Sequence, residues 1–245
     1  MINIIIPMAG LGSRFLEAGY EKPKPFIDVS GKPMIVRVLE NLNVENAQFI
    51  LVARKEHLEQ ERELVNYIKK EFNLLFISIN QLTEGTACTV LSARKYINNQ
   101  FPLLIANSDQ IIDIDLKEFL NDANERDLDG SIITFYDEDK NPKWSFAELD
   151  NKDQVIRVKE KEAISNHATV GIYYFKTGTI FVDGAIDMIA SNDRVNNEFY
   201  TCPVYNYVIA DKKKIGIYEI PCESMHGIGT PEDLNSYVTE KLSGQ

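Results

Sequence analysis

Gly10, Gly12 and Arg14 stand in the run Ala9-Gly10-Leu11-Gly12-Ser13-Arg14, and the cations Lys22 and Lys24 follow in Lys22-Pro23-Lys24-Pro25. These residue types, so spaced, hold phosphate. Glycine lets the backbone turn with positive φ and brings bare N–H groups against anionic oxygens without a Cβ in the way. Arg14 adds a planar fork of permanent charge, and the lysines add point charges on flexible stems. The apolar run Ile2 to Ile6, bounded by Pro7, reads as a buried parallel strand that delivers the loop. Two other phosphate loops are excluded. A dinucleotide fingerprint needs glycine where Phe15 stands, and a P-loop needs Ser or Thr where Pro33 follows Gly31-Lys32. A glycine turn among solvated charges is the plain alternative.

Asp109 sits in the run Leu103 to Gln110, an apolar strand that delivers a carboxylate at its end. Mg²⁺ takes few protein carboxylates and completes its shell with phosphate and water, so Asp109 beside a phosphate loop is a candidate metal ligand. A turn aspartate capping the next segment is the alternative. Gln81 carries both an amide donor and an acceptor, and Gly85 admits close backbone approach, which together suit the edge of a pyrimidine. A loop glutamine ahead of a helix at Thr86 fits the spacing equally.

These groups need a scaffold, and 245 residues with 44% hydrophobic and 26% charged content suffice for one α/β unit with a sizeable core. A net charge of −11 argues against a general nucleic-acid or membrane-surface binder. Cys88, Cys202 and Cys222 are too dispersed for a disulfide framework or zinc site and read as reduced, buried thiols. No apolar run approaches membrane-spanning length and no leader is evident, so a cytoplasmic location is expected.

Short β-rich runs alternate with amphipathic segments, the pattern of βαβ units. Strands are expected at 3–7, 49–53, 75–79, 103–106 and 131–136, then at 146–149, 155–158, 170–175 and 215–220. Helices are expected at 33–42, 57–72, 86–97, 179–190 and 199–210, with a closing helix from Pro231. Every early motif then falls at a strand's carboxyl end, the ligand edge of an open α/β sheet.

The loop resembles the sugar nucleotidyltransferase (sugar-phosphate pyrophosphorylase) family, whose signature Gly-x-Gly-[Ser/Thr]-Arg, a gap and Pro-Lys-Pro reads here Gly10 to Arg14 and Pro23-Lys24-Pro25. Further similar motifs follow in order: Gln81 to Ala87, Asn107-Ser108-Asp109, Glu160-Lys161, Gly171 to Phe175, and Gly229 to Leu234. The resemblance implies a nucleotide-diphospho-sugar transferase-like, Rossmann-like α/β fold. Its mixed, mainly parallel sheet is flanked by helices, with a small β-rich acceptor-binding lid. The whole chain, 1–245, is expected to form one domain, with a nucleotide half at 1–140 and an acceptor half at 141–245.

The resemblance also implies the chemistry, in which an NTP and a phosphorylated acceptor, a sugar 1-phosphate, give an NDP-sugar and pyrophosphate with Mg²⁺. Catalysis falls to Arg14, Lys24 and Asp109. Nucleotide binding falls to Ala9, Gly10, Leu11, Gly12, Ser13, Arg14, Gln81, Gly85 and Thr86, with a pyrimidine favoured. Acceptor binding falls to Lys24, Glu160, Lys161 and Glu198. Trp144, where similar proteins have glycine, would narrow the acceptor pocket or stack on its occupant. A second metal-binding aspartate in similar proteins is replaced by Gly227, leaving His226 or Glu198 as substitutes. Other readings are a cytidylyltransferase for a small phosphate such as phosphocholine, a glycosyltransferase of the related fold lacking its Asp-x-Asp, and a non-catalytic nucleotide sensor. Proteins of this kind serve capsule, lipopolysaccharide or teichoic-type pathways, and the sequence leaves homo-oligomerisation open.

Overall fold

Ile2–Met8 (β1) is the strand about which the sheet is arranged, and Ile4, Ile5 and Ile6 are fully buried within it. In the computed structural model, which describes residues 1–243, the remaining elements follow in chain order. They are α1 (Ser13–Glu17), β2 (Asp28–Val29), β3 (Lys32–Pro33), α2 (Met34–Asn41), β4 (Ala47–Arg54), α3 (Lys55–Gln60), α4 (Arg62–Glu71) and β5 (Leu74–Ile79). Next come α5 (Thr86–Leu91), α6 (Arg94–Ile97), β6 (Leu103–Ala106), β7 (Gln110–Ile112), α7 (Leu116–Glu125), β8 (Gly130–Tyr136), β9 (Ser145–Leu149) and β10 (Val155–Glu160). The chain closes with β11 (His167–Phe175), α8 (Gly178–Ala190), α9 (Val204–Ala210), β12 (Ile215–Ile220), β13 (Met225–Gly227) and α10 (Pro231–Ser243).

A nine-stranded mixed sheet runs β10-β9-β11-β6-β1-β4-β5, with β8 pairing β11 and β12. The pairs β6-β1, β1-β4 and β4-β5 are parallel, as are β8-β12, while β11 runs antiparallel to β6, β8 and β9. Strands from both halves of the chain therefore share one sheet. Alternation along β1 sends Ile4 and Ile6 to a cluster with Leu39, Phe49, Ile68 and Phe119, and Ile5 to a cluster with Val90, Ile97, Phe181 and Val204. Helices thus cover both faces, each buried large side chain contributing about 1.5–3 kcal/mol. A third cluster of Phe15, Ile27, Val29, Met34, Ile111, Ile228, Leu234 and Tyr237 ties the glycine loop to β7 and α10.

Several expected elements differ. The helix at 57–72 is two, α3 and α4, broken at Glu61 (φ −104°, ψ 34°), and the helix at 86–97 is broken between α5 and α6. The helix expected from Phe199 begins at Val204. Phe199 cannot join it because its N–H donates to the Glu84 carbonyl (2.7 Å) and its carbonyl accepts from Ala87 N–H (3.0 Å). The Asn196-Asn197 pair ahead of it forms a tight turn with both residues at positive φ (49° and 63°). Helix α7 was not expected, although Leu116, Phe119, Leu120 and Ala123 carry its spacing. Of the thiols, only Cys202 is buried; Cys88 is half-buried and Cys222 exposed. Among the described residues no helix is long and apolar enough to cross a membrane.

Candidate active site

The glycine loop leaves β1 at the carboxyl edge of the sheet. Gly12, at φ 64°, turns the chain into α1, and its carbonyl accepts from the Phe15 and Leu16 N–H groups (3.0 and 3.2 Å). A Cβ there would lie 2.9 Å from the Lys24 Cβ, so the Pro-Lys-Pro segment closes on the loop only because residue 12 is glycine. Gly10, expected at positive φ, does not adopt it. Together Gly10, Gly12, Lys24, Thr86, Asn107 and Asp109 line a cavity of about 280 Å³. Ala9, Leu11, Ser13, Arg14 and Gly85 adjoin these positions in sequence but do not line it, and neither does Gln81. Arg14 is exposed and makes no ion pair among the described residues.

Lys24 and Asp109 form an ion pair through Nζ and Oδ2, with side chains 20% and 23% exposed. The C-terminal segment approaches this pair by backbone: the Ile228 N–H donates to the Asp109 carbonyl (2.9 Å), and a Cβ on Gly229 would fall 2.5 Å from Asp109 Oδ2. Gly227 pairs with Gln110 across β13-β7 and has open space where a side chain would be. His226 is committed elsewhere, its Nε2 lying 2.7 Å from Asp113 Oδ2 and its ring against Tyr237. Among the described residues no group of three or more His, Cys, Asp or Glu side chains is placed to hold a metal. The donor set therefore suits a hard cation only as a single carboxylate, completed by phosphate and water as Mg²⁺ accepts.

A second cavity, of about 210 Å³, adjoins the first through shared Thr86 and Asn107. Its walls include Lys143, Trp144, Ser145, Glu160, Tyr173 and Tyr200. Burial lifts the Glu160 carboxyl above the usual carboxylate range; the Ser145 hydroxyl, which donates to it, and Lys161 oppose the shift, while Glu198 adds to it. Lys161 and Glu198 do not line this cavity. Lys161 donates to the Tyr200 hydroxyl (2.7 Å) with its ammonium 4.6 Å from that ring's centroid. Burial first, then Glu198, raises the Tyr200 pKa. Trp144 lines this cavity, its ring edge-on against Phe135 at 5.4 Å.

Asn107, Gln110, Thr169, Tyr173 and Thr201 also line this cavity, though the sequence reading assigned them no role. Asn107 stood two residues before Asp109 at the same strand end, which was the available signal. Tyr173 carried none beyond its place in the Gly171 to Phe175 run.

The carboxyl edge of the parallel strands thus carries a glycine-, lysine- and aspartate-lined cavity joined to a polar second cavity, which together give room for two adjoining ligands. Residues 3–205 match the nucleotidyl transferase family, and the chain belongs to it. It is 30% identical to the bifunctional protein GlmU of Methanocaldococcus jannaschii over 99% of this chain and 55% of that protein. It is 27% identical to the D-glycero-alpha-D-manno-heptose 1-phosphate guanylyltransferase of Campylobacter jejuni, over 81% of this chain and 86% of that one. The chain spans about half the length of the GlmU relatives it matches. Two solved structures share the fold, both with TM-score 0.81. One is a nucleoside-diphosphate-sugar pyrophosphorylase from Vibrio cholerae (23% identity, 96% of this chain, 99% of that one), the other a UDP-glucose pyrophosphorylase complexed with UDP-glucose (19%, all of both chains).

Proposed function

We propose that this chain is a sugar-1-phosphate nucleotidyltransferase, joining an NTP to a phosphorylated acceptor to give an NDP-sugar and pyrophosphate. The observation that carries the reading is the junction of the glycine-lysine cradle with a separate polar cavity at Thr86 and Asn107. Such a junction sets two anions side by side. An acceptor phosphate oxygen forms a bond to the α-phosphorus as the bond to the β-phosphate bridging oxygen breaks, and pyrophosphate takes the electron pair. The nucleophile is already ionised, so no general base is needed, and positioning with charge neutralisation supplies the rate.

The Gly10 to Ser13 amides and Arg14 hold the β and γ phosphates in this reading. Lys24 exchanges Asp109 for the α-phosphate and the acceptor phosphate. Lys161 binds the acceptor phosphate and Glu160 its hydroxyls, with Glu198 acting on them through Tyr200. Asp109 would hold Mg²⁺, which would supply charge neutralisation for the departing pyrophosphate. Gln81 and Gly85 read the base, for which a pyrimidine is favoured.

The phosphocholine alternative is disfavoured by two of the protein's own ammonium groups. Lys143 sits 4.4 Å from the Trp144 centroid and Lys161 4.6 Å from that of Tyr200, so a quaternary ammonium would meet like charge at the rings that would cage it. The test is a matrix of four NTPs against phosphorylated acceptors, read by pyrophosphate release. Release with a sugar 1-phosphate and a pyrimidine NTP is expected; exclusive use of GTP or ATP would overturn the base assignment, and no release from any pair would overturn the activity.

A further inference from the structure

We infer that Gln110 is a specificity-determining residue whose carboxamide oxygen accepts a hydrogen bond from a hydroxyl of the acceptor; the inference rests on the nucleotidyltransferase reading above. Gln110 is 7% exposed, and its Oε1 is buried with no hydrogen-bond partner among the described residues. The other buried side-chain polar atoms left so belong to Asn3, Arg54, His57, Ser131 and Thr134, none of which lines either cavity. Gln110 does, on the second cavity with Glu160 and Ser145. A buried polar atom without a partner is costly to a free protein, and a ligand donor that satisfies it recovers that cost on binding.

The fold deforms to keep this amide in place. Gln110 is rooted by β7, paired with β13 at Gly227. Opposite it, the register of β11 against β8 breaks between Thr169 and Tyr173, and within the break Gly171 takes φ +83°. A Cβ on Gly171 would lie 2.5 Å from Gln110 Oε1 and 2.2 Å from Asn107 Nδ2, so glycine and bulge together make the space the two amides occupy. The neighbouring wall group, Glu160, is also an acceptor once ionised. Two acceptors on one wall call for a ligand face rich in donors, which the hydroxyls of a sugar supply.

The experiment uses the full chain with Gln110→Met, close in length but without the amide, and Gln110→Leu as a second variant should the first fail to fold. With the acceptor that the wild type uses, the acceptor KM is expected to rise about tenfold, the worth of one hydrogen bond to a buried amide. The NTP KM should stay within twofold. The melting temperature of the free protein should hold or rise, because the orphaned oxygen is gone. Against deoxy analogues of the acceptor, the wild type should reject one that the variant accepts as readily as the parent. An unchanged acceptor KM would overturn the inference alone, as would a lowered melting temperature with both KM values raised together, the mark of a structural role. Absence of pyrophosphate release by the wild type with every pair would instead overturn the nucleotidyltransferase reading, and this inference with it.

Discussion

Replacing Lys24 by Met keeps the stem that packs against Gly12 and removes only the ammonium paired with Asp109. In the free protein this leaves a carboxylate, 23% exposed, without its counter-ion. An exposed pair is worth under about 1 kcal/mol and breaking a fully buried one costs about 3–5, so a loss of about 1–3 kcal/mol follows for this intermediate case. At about 2–4 °C per kcal/mol for a chain of this size, the melting temperature should fall by roughly 2–12 °C. Turnover should fall further, by about 10² to 10³, because one preorganised charge on the reacting phosphates is lost.

The same free energy works in the opposite sense on metal binding. If Asp109 is the metal ligand proposed above, a cation has to displace Lys24 from it, and removing that competitor should tighten divalent binding without nucleotide by about 5- to 150-fold, the factor corresponding to 1–3 kcal/mol. Pyrophosphate release measures the first effect, and Mn²⁺ titration followed by electron paramagnetic resonance measures the second. Slower turnover with tighter metal binding is a pairing that general misfolding does not produce. Turnover within a few-fold of wild type, or an unchanged Mn²⁺ affinity, would refute the reasoning.

Gly227→Asp adds a carboxylate on the segment whose Gly229 abuts Asp109, at a position with open space and no left-handed φ, so apo Mn²⁺ binding should tighten; calorimetry showing no change would count against the single-carboxylate site. Glu160→Gln should raise stability at neutral pH while weakening acceptor binding. The folded-state pKa of Glu160 lies above its ordinary value, so its ionisation costs stability as pH rises through the window between the two, and melting curves of the variant and wild type should converge at acidic pH. Gly85→Ala forces a side chain at φ +123° to within 2.4 Å of the Phe199 carbonyl oxygen, and a loss of at least about 2 kcal/mol in denaturant unfolding is expected. EDTA should abolish pyrophosphate release and Mg²⁺ restore it, and Asp109→Asn should mimic the chelated enzyme; unchanged Mg²⁺ dependence in that variant would remove Asp109 as the ligand.

The strands at 103–106 and 215–220 match β6 and β12 residue for residue. β6 is a uniformly buried apolar run that stops at Asn107, while β12, with Glu219 exposed, is marked by its bounds, Lys214 and Pro221. The helix start at 199 failed because Phe199 is apolar and continues the helical spacing, while its backbone is consumed by Glu84 and Ala87, at the entry to α5 over a hundred residues earlier. No local pattern records such a contact. The same limit governs the site. The cradle residues Gly12, Lys24 and Asp109 were readable because charge and glycine spacing carry their chemistry, whereas Gln110 and Tyr173 became visible only once β11 and β7 converged on one cavity.

The departure at Gly227 and the Lys24–Asp109 pair belong together. With aspartate at both 109 and 227, one lysine would leave the empty site with excess negative charge, able to recruit a cation by itself. With Gly227 and the Lys24–Asp109 pair, that charge is balanced internally and the free protein offers a cation little. The chain as a whole carries −11, so an uncomplexed triphosphate approaches against net repulsion and is drawn in only near Arg14, Lys22 and Lys24. A nucleotide already complexed with Mg²⁺ carries less negative charge and brings the cation's remaining ligands with it. In the proposed reaction Asp109 would hold the metal and Lys24 the phosphate, so that neither charge of the present pair would be left without a partner.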